Sequence, residues 1–365
     1  MLVKEGFAEV EVSGVFYNPR MKFCRDVDVI VFSVMPGKLY LDALSASGIR
    51  GIRTKLEVGK EVVLNDINPR AVEVIKRNIQ RNKVHAEVCR EDANILMRKR
   101  HFDHVDIDPF GSPANFIDSI CFSAKKCISV TATDTAALCG SAVNSCLRKY
   151  SCFVEKLEFY PEVGLRVLAG KLACEATKYD KALNFVVCWA KEHYYRIHAI
   201  VKRSPRLSAK IYESVGYLVY CKNCLWRKTV PIGETTSNTC DRCGGKVKVY
   251  GPMWLGKLKN SKLLNRACRE NLKLSKVESS NIYDEARSFL EKLSAEVDSQ
   301  FYYELHEICR RLRISPPKIN VVLEELRNRG FEASRTVLCG TGVKCNAEIG
   351  EFEEILIDVL SECNL

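Results

Sequence analysis

From residue 39 onward the chain alternates two hydrophobic patterns, short apolar runs and apolar positions recurring at helical spacing. Together they are the signature of a parallel sheet wrapped by helices. The runs predict strands at 38–44 (KLYLDAL), 61–66 (EVVLND), 85–91 (HAEVCRE), 102–108 (FDHVDID) and 127–133 (CISVTAT). Between them the spacing predicts helices near Ile49 to Glu57, Pro69 to Asn82, Ile95 to Arg100 and Ala114 to Ala124. A further helix is expected around Lys181 to His193, ahead of a strand at Tyr195 to Lys202. The periodicity stops near Ser204 and Pro205. Beyond that point, 213–250 reads as short strands punctuated by cysteine pairs and 283–296 as helix. Residues 302–336 read as helix, turn, helix and strand, a winged-helix-like pattern within about 297–340. The expected architecture is therefore a Rossmann-like α/β domain over 1–205 and an α+β domain over 206–365. No internal repeat or low-complexity tract interrupts it.

At 365 residues the chain exceeds one comfortable core, which agrees with two domains. No apolar run reaches the length of a membrane span, and the start, MLVKEGFAEVEVSG, has neither a basic flank nor an apolar signal core. A soluble, cytoplasmic chain is expected, with no membrane partner and no evident obligate protein partner. Eighteen cysteines in such a chain argue for metal ligands and buried free thiols rather than a disulfide framework. The net charge of +11 is concentrated, because residues 201–276 hold 17 Lys and Arg against 4 Asp and Glu, a local excess of +13. The remainder sums to −2, so a polyanion is expected to bind the second half, with affinity that falls as salt rises.

Candidate chemistry gathers at the strand tips, where open parallel sheets bind ligands. The first strand ends in Asp42, followed by Ser45, Ala46, Ser47 and Gly48, small residues that let backbone approach a ligand before a helix begins. Neither GxGxxG nor GxxxxGK[ST] is present, which weighs against dinucleotides and triphosphates. The second strand ends at Asp66, placed to accept from both ribose hydroxyls, with Ile67 next to it as a further donor-binding candidate, and the third at Asp92 and Ala93, placed to meet an adenine amine. S-adenosyl-L-methionine fits this order, with Arg25 and Arg50 as candidates for its carboxylate. The fourth strand ends in Asp108, Pro109, Phe110 and Gly111. A carboxylate, a rigid proline and an aromatic ring together suit a flat heterocycle held by its exocyclic amine, and so point to amino-group methyl transfer.

These pieces closely resemble the Trm1 family, the tRNA (guanine-26-N2)-dimethyltransferases. The shared stretches are FYNPRMKFCRD (16–26), LDALSASGIRGIR (41–53), NDINPRAVEVIKRN (65–78), DIDPFGSP (106–113), TATDTAALCG (131–140), HYYRIHAIVK (193–202) and FEASRTVLCGTGVK (331–344). The resemblance implies that Arg25, Arg50, Asp66, Asp92 and Ala93 contact the methyl donor, and that Asp108 and Phe110, with Phe16, hold the guanine. Cys24 stands where the family pattern has asparagine. Guanine N2 is a weak nucleophile because its lone pair is delocalised. Asp108 accepting one N2–H and the Pro109 carbonyl accepting the other would favour a pyramidal nitrogen facing the sulfonium methyl.

Two further signals lie in the second half. Cys221, Cys224, Cys240 and Cys243 form two CxxC pairs with fifteen residues between them, a spacing that suits structural Zn2+ in a ribbon over about 213–255. Lys246, Lys248, Lys257, Lys259 and Lys262 surround Trp254, a combination that suits an RNA surface, and Arg335 and Lys344 flank the winged-helix-like strand. The tRNA is thus the expected partner. The rival readings are a DNA or other RNA amino-methyltransferase and a non-catalytic tRNA-binding module.

Overall fold

The computed structural model describes residues 1–278 and 283–363. A hairpin of β1 (Leu2–Glu5) and β2 (Ala8–Glu11) leads to α1 (Lys22–Phe32). The first half continues with β3 (Leu39–Asp42), α2 (Ile49–Arg53), β4 (Glu61–Asn65), α3 (Pro69–Arg81), β5 (Glu87–Cys89), α4 (Ala93–Lys99) and β6 (Phe102–Ile107). Then come α5 (Ile117–Ser123), β7 (Ala124–Ala132), α6 (Thr135–Leu138), α7 (Val143–Tyr150), α8 (Tyr160–Thr177), β8 (Lys181–Lys191) and β9 (Tyr194–Arg203). Local chemistry sets the helix starts. Asn68 accepts from the Arg70 N–H at 3.0 Å ahead of Pro69, and Asp92 accepts from the N–H groups of Asn94 and Ile95 at 2.8 and 3.1 Å.

The central sheet has seven strands in the order β5-β4-β3-β6-β7-β9-β8. Strands β5 to β7 are parallel, but β9 and β8 run antiparallel, so the sheet is mixed rather than all-parallel. The helix expected over Lys181 to His193 is instead strand β8, paired with β9 along its whole length. Its burial explains the difference. Every residue from Lys181 to Trp189 is buried except Asn184, because α8 covers one face and the C-terminal half covers the other. A strand buried on both faces loses the alternation that marks strands in sequence.

The second half begins with α9 (Pro205–Ala209) and a three-stranded sheet of β10 (Val215–Tyr220), β11 (Arg227–Pro231) and β12 (Lys248–Trp254). Helix α8 lies between this sheet and the central one. The approach is close enough that a Cβ at Gly170 would stand 2.8 Å from the Trp254 nitrogen. Helices α10 (Ser261–Glu278) and α11 (Asp284–Ala295) return to pack on α1, on the far side of the central sheet. The chain ends with β13 (Tyr303–Glu304), α12 (Leu305–Leu312), α13 (Ile319–Asn328), β14 (Ala333–Thr336), β15 (Cys339–Cys345) and α14 (Ile349–Cys363). Glu162 on α8 joins this last unit to the first half. Its carboxylate accepts from the Arg166 side chain at 2.7 Å and from the N–H groups of Phe301 and Tyr302 at 2.7 and 3.2 Å, with Lys344 at 3.4 Å. No helix among the described residues is long and apolar enough to cross a membrane.

Candidate active site

One face of the central sheet carries a buried polar row. In register across β3, β6, β7 and β9 stand Asp42 beside Asp106, Asp106 beside Ser129, Ser129 beside His198, and Thr131 beside Arg196. Helix α1 closes over this row and adds Asp28. Arg196, wholly buried, donates from both Nη atoms to Asp106 at 2.7 Å each and from Nε to Asp28 at 3.0 Å. Arg50 pairs with Asp28 at one end and with Asp108 at the other. Burial would raise the Asp106 carboxyl, but the Arg196 guanidinium outweighs it and holds the group below its ordinary range. Asp42 goes the other way: burial, with Asp106 and Asp108 nearby, pushes it well above the usual carboxylate value. Its Oδ2 has no hydrogen-bond partner.

Beyond the row, a cleft of about 360 Å3 opens at the strand tips. Asp42, Ser45, Ala46, Arg25, Arg50, Asp108, Pro109, Phe110 and Phe16 all line it. Phe110 is 92 % exposed and Phe16 62 %, and their rings meet edge to face with centroids 6.1 Å apart. Large aromatic rings left in water at a cleft mouth are unfavourable in the free protein, and they mark a binding surface. The segment that leads from the N-terminal hairpin into α1 presents Phe16. Buried Glu5 accepts from the Tyr17 hydroxyl at 2.6 Å and from Arg25 at 2.6 and 2.8 Å, so the residues around Phe16 are anchored while its ring is free. Asn78 on α3 ties that hairpin down, donating to the Glu11 and Ser47 carbonyls at 2.9 Å each.

Of the other expected donor residues, Gly48, Asp66, Ile67, Asp92 and Ala93 surround the cleft rather than line it. Asp66 is half-buried and accepts from the Ala46 N–H at 2.9 Å, which fixes the tight turn at Ala46 (φ 48°) next to Gly48 (φ 78°). Ile67 is 61 % exposed beside it. Asp92 caps α4, and Ala93 is buried in that helix. Arg25 reaches the cleft with its fork committed to Glu5. Sequence reasoning missed Asp28, Arg196 and His198. The available signal was a charged or ionisable residue inside an otherwise apolar run, as in DVDVIVF and YRIHAIV.

The four paired cysteines converge as expected. Their sulfurs all lie within 4.8 Å of one another, with Cys221 to Cys243 at 3.6 Å and Cys224 to Cys240 at 3.4 Å. A tetrahedral site with metal–sulfur bonds of about 2.3 Å has edges of about 3.8 Å, so the donor set fits zinc. The Asn223 amide and the Gly245 N–H pull the Cys243 thiol down to about 6, toward the thiolate that binds metal. The expected RNA residues divide. Lys246, Lys248, Lys257, Lys262 and Arg335 are exposed, Lys248 pairing with Glu155 and Lys257 with Asp298. Trp254 is in the core against Phe185, with its indole N–H donating to the Lys257 carbonyl at 3.0 Å. Lys259 and Lys344 are also buried and donate to backbone carbonyls, so none of these three faces a polymer in solution.

Residues 3–357 match the family described as N2,N2-dimethylguanosine tRNA methyltransferase. Among curated relatives, the tRNA (guanine(26)-N(2))-dimethyltransferase of Archaeoglobus fulgidus is 52 % identical over 98 % of both chains. The protein of the same name from Methanothermobacter thermautotrophicus is 39 % identical over 95 % of this chain and 94 % of its own. Among solved structures, Trm1 from Pyrococcus horikoshii in complex with S-adenosyl-L-methionine superposes with a TM-score of 0.88. It is 36 % identical and covers 98 % of this chain and 99 % of its own.

Proposed function

The chain belongs to the N2,N2-dimethylguanosine tRNA methyltransferase family, and on that footing we propose that it moves one or two methyl groups from S-adenosyl-L-methionine to the exocyclic N2 of guanine 26 in tRNA. The observation that carries this reading is the cleft itself. An Arg-paired carboxylate at the tip of β6, followed by proline and an exposed ring, faces a second exposed ring across one opening.

The donor fits the chain's own residues. Asp42 offers a buried oxygen with unmet hydrogen-bonding capacity in the cleft wall, the small residues Ser45 to Gly48 let backbone come close, and Asp66 keeps lone pairs for a ribose. When bound, the donor supplies an electrophilic methyl on a sulfonium. Asp108 accepts one N2–H of the guanine and the Pro109 carbonyl the other, which restores nucleophilic character to that nitrogen, and Asp108 takes up the proton that N2 loses as it gains the methyl. Arg50 fixes Asp108 in place, so the carboxylate acts as an acceptor with a set direction. Positioning contributes most, within a ceiling of roughly 7 to 11 kcal/mol for such effects. Phe110 and Phe16 turn from edge contact to grip the base, and each stack contributes about 1 to 3 kcal/mol toward extruding it from the folded RNA.

The finer organisation follows. Residues 1–205 act as the methyl-transfer domain and 206–365 as the tRNA-binding domain, with α12, α13 and the β14–β15 hairpin as a winged-helix-like unit. Cys221, Cys224, Cys240 and Cys243 hold a structural Zn2+ that orders the loops of the β10–β12 sheet. Exposed Lys246, Lys248, Lys257 and Arg335 meet phosphates. Nucleoside analysis of tRNA incubated with the protein and S-adenosylmethionine tests the reading. Methylated N2-guanosine is expected from position 26, and its absence at saturating donor would refute the assignment.

A further inference from the structure

Strands β8 and β9 are joined by a two-residue turn, Glu192 and His193, since Lys191 pairs with Tyr194. Two-residue hairpin turns place positive φ on glycine or asparagine, but here Glu192 takes the left-handed conformation (φ 51°). A conformation that disfavours a side chain, kept with a long charged one, directs attention to what that side chain does. Both residues line the same cleft as Asp108, Phe110 and Phe16. Both are exposed, and neither side chain makes a hydrogen bond or ion pair with the described residues. The next residue, Tyr194, is 5 % exposed, also lines the cleft, and has a hydroxyl without a hydrogen-bond partner.

Much of the cleft's other polar capacity is already engaged. Asn18 accepts from the Arg20 N–H, Thr133 from the Gly111 N–H, and Arg25 is held by Glu5. A purine held by its N2 amine still presents an N1–H donor and an O6 acceptor on the same edge. A cleft that bonds those two atoms rejects a purine lacking them far more strongly than shape alone can. A carboxylate is the acceptor that N1–H calls for, and an imidazole N–H is a donor that suits O6.

Resting on the function proposed above, we propose that the β8–β9 turn is the guanine-specifying element of this site, with Glu192 accepting from N1–H and His193 donating to O6. Asp108 then holds the amine and the turn identifies the base that carries it.

The test uses two tRNAs that differ only at position 26, one with guanine and one with 2-aminopurine, which keeps the N2 amine and the stacking surface but lacks N1–H and O6. Glu192→Ala and His193→Ala should each lower kcat/KM on the guanine tRNA on the order of tenfold or more. Neither should lower labelled-methyl incorporation into the 2-aminopurine tRNA or its fluorescence-monitored binding, and Glu192→Ala should raise both, because the wild-type carboxylate faces an N1 lone pair there. His193→Gln, which keeps an N–H donor, should recover part of the loss. An equal loss on both tRNAs would overturn the proposal, and so would loss of S-adenosylmethionine binding in the His193→Gln variant, because either makes the turn a structural or phosphate contact. If wild type failed to methylate the guanine tRNA at all, the function itself would be at fault.

Discussion

Glu162 is the clearest place to ask whether buried charge holds the two halves of this protein together. The carboxylate is fully buried, and burial alone would raise it, yet Lys344, Arg166 and the Phe301 N–H hold it down at about 2. Between that value and the ordinary 4.5 lies about 3 kcal/mol of folding free energy at neutral pH. Because the folded-state value is the lower one, this stabilisation is complete above the unfolded value and is lost as pH falls from about 5 toward 2. Glu162→Gln removes the charge while leaving Arg166 and Lys344 buried, a change that costs about 3 to 5 kcal/mol in comparable sites. Urea unfolding should therefore show the variant less stable by about 3 kcal/mol at pH 7 but by only roughly half as much at pH 3. Since Glu162 holds the segment that leads into α12, the variant should also lose tRNA affinity while keeping donor affinity. A deficit below about 1 kcal/mol at pH 7, or the same deficit at both pH values, would refute the electrostatic reasoning.

Other consequences can be measured independently. Phe110→Ala alters a ring that is 92 % exposed, so the fold and donor binding should be untouched while kcat/KM for tRNA falls by the roughly 1 to 3 kcal/mol of one stacked base; steady-state kinetics with equilibrium dialysis of the donor checks this. Native mass spectrometry should find one zinc per chain, and its removal by chelation should weaken tRNA binding before donor binding, as titrations with each ligand would show. Replacing Lys246 and Lys257 together by alanine should weaken tRNA binding and reduce the slope of log affinity against log salt by about one for each phosphate no longer neutralised.

Much of the first half is legible in sequence because its parallel strands end in carboxylates at or beside the cleft. Asp42, Asp66 and Asp108 follow apolar runs, and the cysteine pairs have a spacing that little besides a metal site explains. What is hidden depends on neighbours distant in sequence. Strand β8 looks helical because both of its faces are covered, and α8 carries few polar markers because it lies between two sheets. The basic residues beyond the ribbon look alike in sequence, but Lys259 and Lys344 find buried backbone carbonyls while Lys246 does not. The Arg196–Asp28–Arg50 chain joins β9, α1 and α2, and only the folded register brings these together.

The proposed function turns on the carboxylate at the tip of β6 holding the guanine amine during methyl transfer. Asp108→Asn keeps the shape of that side chain and removes its charge, so single-turnover methylation of tRNA should fall by the roughly 10²- to 10⁴-fold typical of removing an acid–base group, while the dissociation constant for S-adenosylmethionine changes little. Unchanged formation of N2-methylated guanosine by this variant, with donor binding intact, would show that Asp108 does not hold the amine.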